Sequence, residues 1–244
     1  MSEWNKKWID VGQSKISKAI GYRHRKRLAM KLFEKFELSG NILDVGCGDG
    51  TAFTFFDKEK NSFFGLDSSE VAIEIAKKNY PDAQYYLGSI TDKNSLPQTK
   101  FDIITCFDML EEIHEDELAL ANISSLLNTG GKLLITTQHK EKYRTKHDAY
   151  AGNVRRYEVK ELKEKLIASN FHIIDQITWG FPFYNFYYKN ILLKTNPDKQ
   201  WSDSPKKTKL FLNIFYYFLL LDDIFINNMN GRILVILAQK NSSN

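Results

Sequence analysis

The stretch from Asn41 to Thr51, Asn-Ile-Leu-Asp-Val-Gly-Cys-Gly-Asp-Gly-Thr, limits the folds open to this chain more than any other. Ile42, Leu43 and Val45 form a short apolar run of the kind that makes a buried parallel strand. Gly46, Gly48 and Gly50 follow at every second position. With no Cβ in the way, such a loop brings bare backbone against a ligand. The next segment is expected to form a helix near 51–58, whose free N–H groups and positive dipole end would face the same ligand. Asp44, at the strand's end, is placed to receive an ammonium or hydroxyl group. The spacing is not the dinucleotide fingerprint G-x-G-x-x-G/A, which needs a small third residue where this chain has Thr51.

A second acid strengthens the loop's meaning. Asp67 lies twenty-three positions after Asp44 and ends another apolar run, Ser62-Phe-Phe-Gly-Leu-Asp67. In open α/β sheets an acid at the tip of the second strand reaches ribose hydroxyls. The alternative is that Asp67 only caps a helix beginning near Ser69.

A chain of 244 residues fits one large α/β domain with an insertion. Its net charge of +4 is too small to imply a nucleic-acid partner by itself. Cys47 and Cys106, the only cysteines, lie in apolar strand-like stretches, which suits a reducing cytosol better than a disulfide framework. The first residues lack the apolar core of a signal peptide, and no run reaches the roughly 18–20 apolar residues of a membrane span. The expected location is therefore cytoplasmic, with membrane association as the variant considered below.

Along the chain, residues 1–13 are polar apart from Trp4 and Trp8. Residues 14–37 read as a helix with a broken apolar stripe at Ile16, Ile20, Leu28, Leu32, Phe33 and Phe36. Its basic middle, Tyr22-Arg-His-Arg-Lys-Arg27, reads as a solvated helix face in preference to a phosphate-binding patch. From residue 41 strands and helices alternate: strands 41–46, 62–67, 83–87, 101–107 and 132–137, with helices at 51–58, 69–79 and 115–127 between them. A helix at 158–169 and strands 171–178 and 232–239 complete the pattern. Such alternation implies a mostly parallel sheet with helices on both faces. The expected division is a basic helical segment at 1–40, a core at 41–179, an aromatic-rich insertion at 180–230, and a last core strand and tail at 231–244.

Together these pieces resemble the class I S-adenosylmethionine-dependent methyltransferases, small-molecule type, and in particular the methyltransferase domain of ubiquinone biosynthesis. The residues that carry the likeness are Asp44-Val-Gly46-Cys-Gly48-Asp-Gly50, Leu66-Asp67, the run Phe101 to Ile113, and Gly130-Gly131-Lys-Leu-Leu-Ile. The resemblance implies a Rossmann-like, doubly wound, mostly parallel seven-stranded α/β sheet with the last strand antiparallel, and a helical aromatic-rich insertion before that strand. It implies S-adenosylmethionine as cofactor, held by Asp44, Gly46, Cys47, Gly48, Asp67, Ser68, Ser89, Ile90, Phe107 and Asp108. It implies methyl transfer to O, N or C of a small or lipid-like acceptor, including lipid-linked or sugar-containing ones. Two positions depart from the family. Gly88-Ser89-Ile90 stands where relatives usually place an adenine-binding Asp, and Leu110-Glu111-Glu112 stands where relatives often read Leu-Glu-His.

That second departure places Asp108, Glu111 and Glu112 just past a strand tip. The all-oxygen set would suit Mg²⁺ or Ca²⁺. The favoured reading is no metal, with Asp108 and Glu112 serving the next helix and Glu111 alone facing the site. A base that takes the acceptor's proton is sought among His139, Tyr143, His114 and His147, with His139 first and Glu111 as a further candidate. The adjacent Arg155, Arg156 and Tyr157 can bind an anionic substrate group, or can tie their loop to the following helix.

The insertion concentrates aromatic residues in two clusters, Phe181 to Tyr188 and Phe211 to Phe218, separated by a polar linker with Pro197 and Pro205. Its favoured reading is a cap that selects an apolar acceptor. Peripheral membrane contact through 180–221, with Lys206, Lys207 and Lys209 at the head groups, is the second, and a homodimer interface the third. Two further functions compete with the main one: an RNA methyltransferase using the basic helix, with nucleic acid the less favoured partner, and a non-catalytic protein acting through its aromatic insertion.

Overall fold

The computed structural model describes residues 20–194 and 206–242. Trp4, Trp8, Ile16, Pro197 and Pro205 lie outside them. Seven strands form one sheet in the order β3-β2-β1-β4-β5-β7-β6. They are β1 (Gly40–Val45), β2 (Asn61–Asp67), β3 (Gln84–Leu87), β4 (Phe101–Phe107), β5 (Leu127–Gln138), β6 (Phe171–Trp179) and β7 (Ile233–Lys240). β1 to β5 are mutually parallel, and β7 inserts antiparallel between β5 and β6. This is the expected sheet, with the chain reversing direction outward from β1 and β4 to give a crevice at their carboxyl ends.

The strands alternate faces with period two, and the two cores separate accordingly. Leu43, Ile104, Cys106, Leu133, Ile135, Leu234 and Ile236 join one core. Ile42, Ile103, Leu134, Ile233, Val235 and Leu237 join the other. The first core is closed by α3 (Asp116–Leu126), through Ala119, Leu120 and Ile123, and by α5 (Val159–Ala168), through Leu162 and Leu166. The second is closed by α1 (Ile20–Lys35), through Leu28, Ala29, Leu32 and Phe33, and by the insertion. Between β2 and β3, α2 (Glu70–Asn79) starts at Ser69, whose hydroxyl accepts from the Ala72 N–H as an N-cap. A short α4 (Lys146–Ala151) follows β5 behind a capping box of Thr145 and Asp148.

Two local expectations are corrected. The helix expected near 51–58 is a single 3₁₀ turn, Thr51–Phe55. Phe53, Phe55 and Phe56 are drawn into aromatic contacts with Phe63, Phe107 and Phe33, and the turn ends at Phe56, whose backbone is extended. The basic middle of α1 is not a solvated face. Arg23 stacks on Tyr216 and donates to Asn213, Arg25 pairs with Asp108, and Arg27 pairs in a fork with Asp223. Between them His24 is fully buried, stacked on Trp179 and Tyr216 at 4.2 and 4.4 Å. Burial pushes its pKa down to about 3, so it is a neutral aromatic plate.

The insertion contains α6 (Phe183–Asn190), α7 (Lys206–Phe218) and a 3₁₀ stretch, Leu219–Phe225. Tyr184, Tyr187 and Tyr188 are buried against α1 and the β6–β7 edge. The start of α6 is held by the fully buried Asp222, which accepts from the backbone N–H groups of Phe183 and Tyr184, both at 2.8 Å. Outer residues such as Phe186, Ile214, Tyr217 and Ile224 remain exposed. Among the described residues no helix is long and apolar enough to cross a membrane. Replacing Asp222 by Ala would strand the two N–H groups, and we expect a stability loss of about 1–2 kcal/mol in urea unfolding. Asp222→Asn, which keeps one acceptor oxygen but turns its amide donor toward the other N–H, should recover only part of it.

Candidate functional site

The acids singled out in the sequence meet at the carboxyl ends of β1, β2 and β4. Backbone N–H groups of Gly46 and Cys47 both donate to the Leu66 carbonyl, which folds the glycine loop over the tip of β2. Gly46 adopts φ +74°, and a Cβ there would meet the Met109 side chain at 2.5 Å, so both conformation and space require glycine. The Asp67 carboxylate accepts from the Gly48 N–H at 2.9 Å and from the Ser69 N–H at 2.8 Å. The capping expectation is therefore half met: Ser69 is the cap, while Asp67 ties loop to cap. An ionised carboxylate has about four lone-pair positions and can accept from several donors at once. Ser68 is exposed beside it.

Asp44 sits in register with Thr105 on the neighbouring strand, and the threonine hydroxyl donates to it at 2.6 Å. Burial, with Asp67 adding like charge, pushes the Asp44 pKa up to about 7. Cys47 packs its sulfur toward Gly65, and burial raises both thiols well above their ordinary range, so neither Cys47 nor Cys106 is a reactive thiolate. At the third strand, the Ser89 hydroxyl is shared with Thr91 and its carbonyl accepts from the Ser95 hydroxyl. Ser89 is thus occupied in its own turn, next to the buried Ile90.

Phe107 closes the strand-four side, its ring 5.9 Å from Phe55. Asp108 has φ +53°, a left-handed conformation that Asp tolerates better than most residues. It is fixed by its N–H to the Thr136 carbonyl, by the Thr136 hydroxyl, and by Arg25, whose Nε lies 2.5 Å from Oδ2. Glu111 is fully buried; one oxygen accepts from the Thr137 hydroxyl at 2.8 Å and the other has no protein partner. Burial, with the negative charge of Asp108 beside it, pushes the Glu111 pKa up to about 8. Of the three acids considered for a metal, Asp108 turns to Arg25 and Glu111 to Thr137. Among the described residues no group of three such side chains could hold a metal.

Other sequence candidates are placed differently. His139 is buried, and its Nδ1 lies 2.8 Å from the Gly231 carbonyl. A carbonyl only accepts, so Nδ1 carries the proton and Nε2 keeps a lone pair; burial lowers the pKa and holds the ring neutral. Tyr143 donates its phenol to the Asn230 carbonyl, which weakens its case as a base. His114 is exposed and His147 half-buried. Arg155, Arg156 and Tyr157 do not converge on a substrate anion. Arg155 pairs with Asp116, Arg156 forks onto Asp148, and the Tyr157 hydroxyl donates to Asp116. These carboxylates are buried and take most of the donors that an acceptor would have used.

Sequence reasoning missed two contributors from α1. Tyr22 is half-buried with its ring 6.2 Å from Phe55, in the turn that follows the glycine loop, and burial together with the charges of Asp44, Asp108 and Asp49 raises its phenol. Arg25 is the second. Alternate residues of a basic run point to different neighbours, and nothing in that run marks which of them turns inward.

This arrangement of glycine loop, paired acids and sheet order defines a fold class, and comparison with known proteins agrees. Residues 19–179 match the family described as "Methyltransferase domain", and the chain belongs to that family, the class I S-adenosylmethionine-dependent methyltransferases. Among curated relatives, the ubiquinone biosynthesis O-methyltransferase of Coxiella burnetii is 33% identical over 100 residues, covering 40% of this chain and 43% of that protein. The mitochondrial enzyme of the same name from Schizosaccharomyces pombe is 31% identical over 103 residues, 39% of this chain and 37% of that one. The chain thus matches less than half the length of these relatives. Among solved structures, an S-adenosylmethionine-dependent methyltransferase from Clostridium acetobutylicum superposes with a TM-score of 0.59 at 12% identity, covering 91% of this chain and 92% of that one. The [4+2]-cyclase SpnF superposes with a TM-score of 0.60 at 20% identity, covering 89% and 81%. At these identities the likeness shows the fold alone.

Removing Arg25 leaves Asp108 partly buried without its counterion. We expect Arg25→Met to cost about 2–3 kcal/mol in urea unfolding, somewhat below the value for a fully buried pair. Adding Asp108→Asn in the same chain should recover most of the loss.

Proposed function

We propose that this chain transfers a methyl group from S-adenosylmethionine to O, N or C of a small or lipid-like acceptor. The observation that carries the reading is the Asp67 carboxylate, held by the Gly48 and Ser69 N–H groups at the crevice where the sheet order reverses. In this reading Asp67 takes the two ribose hydroxyls. Gly46, Cys47 and Gly48 present backbone to the methionine part, and Asp44 meets its ammonium. Ser68 and Ser89 edge the nucleoside, Ile90 and Phe107 pack against it, and Asp108 fixes the strand-four tip. When bound, the cofactor supplies an electrophilic methyl group, so the protein adds position, dryness and proton removal.

Glu111 is the base this reading favours over His139 and Tyr143. It is buried beside Asp108, has one oxygen without a partner, and ionises close to neutral pH. The insertion acts as the cap: Tyr184 packs against Gly21 on α1, next to the residues that cover the crevice. The RNA reading loses its main support, because Arg23, Arg25 and Arg27 are each engaged within the protein.

Calorimetric titration with S-adenosylhomocysteine tests the cofactor assignment. Asp67→Ala should weaken binding by about tenfold to a hundredfold, the worth of charged hydrogen bonds to two hydroxyls. Unchanged affinity would remove Asp67 from the site. An ammonium beside Asp44 lowers its pKa, so at pH 6.5 binding should release up to about one proton. Titrations in two buffers of different ionisation heat measure that release, and Asp44→Asn should abolish it.

The pH dependence of Glu111 has a definite sign. Its folded pKa is raised, so its contribution to stability is complete below its ordinary value of 4.5 and is lost as pH rises through about 8. As the base it must be ionised, so methyl transfer to an acceptor that loses a proton should climb toward pH 8. Glu111→Gln should flatten both profiles and slow transfer by about a hundredfold or more. A variant that retains the wild-type rate profile would exclude the role.

A further inference from the structure

At the carboxyl end of β5, away from the glycine loop, a cavity of about 460 Å³ opens between the 3₁₀ turn Glu141–Tyr143 and α6. Its wall includes Lys142, Tyr143, Arg144, Thr145, Lys189 and Arg232. Arg232 forms its floor and is only 2% exposed. Its backbone is clamped: the N–H donates to the Trp179 carbonyl and the carbonyl accepts from the His139 N–H, both at 2.8 Å. Its guanidinium lies between two rings, 4.3 Å from Tyr143 and 4.2 Å from Tyr188, with Nε donating to the Asn185 side-chain oxygen at 2.7 Å. One terminal nitrogen, Nη1, is buried and has no partner.

Among the described residues the charges around this group do not balance. The charge that acts on it most is another cation, Arg156, which lies 5.8 Å from the Tyr188 ring and is itself paired with Asp148. Arg156 also leaves one Nη1 unpartnered. Burial and Arg156 together push the Arg232 pKa down. At the mouth, the exposed Lys142 and Lys189 have no carboxylate partner among the described residues, and Arg144 has only Glu141, at 3.3 Å. An arginine taken out of water with no counterion is costly unless something supplies the negative charge. A rigid guanidinium fork with two flexible ammonium groups above it suits a tetrahedral oxyanion of more than one charge.

We propose that this cavity is a binding site for a phosphate ester group, gripped by Arg232 with Lys142 and Lys189. The volume exceeds that of the anion itself and falls in the range of small-molecule sites, so the ligand extends beyond its phosphate. The residue before β7 and the end of β5 lie at the same sheet edge as Asp44, Asp67 and Asp108, because Gln138 pairs with Ile233. Resting on the methyltransferase reading above, the site would hold the anionic handle of the acceptor while its reacting atom reaches the crevice. The phosphate can belong to a soluble ester or to a lipid headgroup.

The full chain is melted in rising inorganic phosphate and in phenyl phosphate, each against chloride at matched ionic strength. Cosedimentation with phosphatidylcholine vesicles containing phosphatidic acid is measured beside it. A saturable rise of the melting midpoint with phosphate or phenyl phosphate, at least tenfold weaker in Arg232→Gln, supports the site. Vesicle binding released by inorganic phosphate assigns it to a lipid phosphate, and no vesicle binding with retained phenyl phosphate binding assigns it to a soluble ester. Should Arg232→Gln not fold, the surface variant Lys142→Ala/Lys189→Ala replaces it and should show the same weakening. No saturable response to any of the three probes, or a response equal in these variants, overturns the proposal. S-adenosylhomocysteine binding by the same variants should be unchanged, so failure here is distinct from failure of the cofactor site.

Discussion

The ion pair between Arg25 and Asp108 joins the two halves of this molecule. Asp108 stands at the tip of β4 in a left-handed backbone conformation, and Arg25 comes from the helix that precedes the first strand. Elsewhere α1 meets the sheet through apolar contacts and, at its far end, through Lys35, which pairs with Asp175 on β6. One helical turn from Arg25, Tyr22 packs its ring 6.2 Å from Phe55, beside the end of the glycine loop. The same pair places a negative charge beside Glu111, which burial then keeps near neutrality. One contact thus ties a helix to the strand-four tip and adds, after burial, to the raised pKa of the buried acid.

The rest of α1 repeats this logic farther from the crevice. Arg27 holds Asp223, which also accepts from the Trp179 indole, and the adjacent Asp222 starts α6. His24 fills the space between Trp179 and Tyr216 as an uncharged plate. The insertion is therefore fastened through α1, by charge at Arg23 and Arg27 and by stacking between them. Its outer apolar residues remain uncovered by the described chain.

The sheet and the glycine loop were legible in the sequence because their signals are local. Ile42, Leu43 and Val45 need only burial to form a strand, and Asp44 and Asp67 are fixed by strand ends. The 3₁₀ turn at Thr51–Phe55 was not legible, because its aromatic contacts are with Phe33, Phe63 and Phe107, and those partners are distant in the chain. The basic run 23–27 misled for the opposite reason. A charged helix face is solvated unless carboxylates are waiting, and Asp108 and Asp223 come from elements 83 and 196 positions away from their partners. Arg155, Arg156 and Tyr157 carried the right chemistry for an anion, but Asp116 and Asp148 already supply it. Arg232 gave no sequence signal at all; its significance comes from having no carboxylate beside it among the described residues.

Methyl transfer itself is the central claim, since the same fold also supports a cyclase. The most direct measurement incubates the purified chain with S-adenosylmethionine labelled on its methyl group and a total cell extract separated into small-molecule, lipid, RNA and protein fractions. The account predicts label in the small-molecule or lipid fraction, rising with time and lost in Asp67→Ala. A folded protein that binds S-adenosylhomocysteine yet labels no fraction, or labels only RNA or protein, would contradict it.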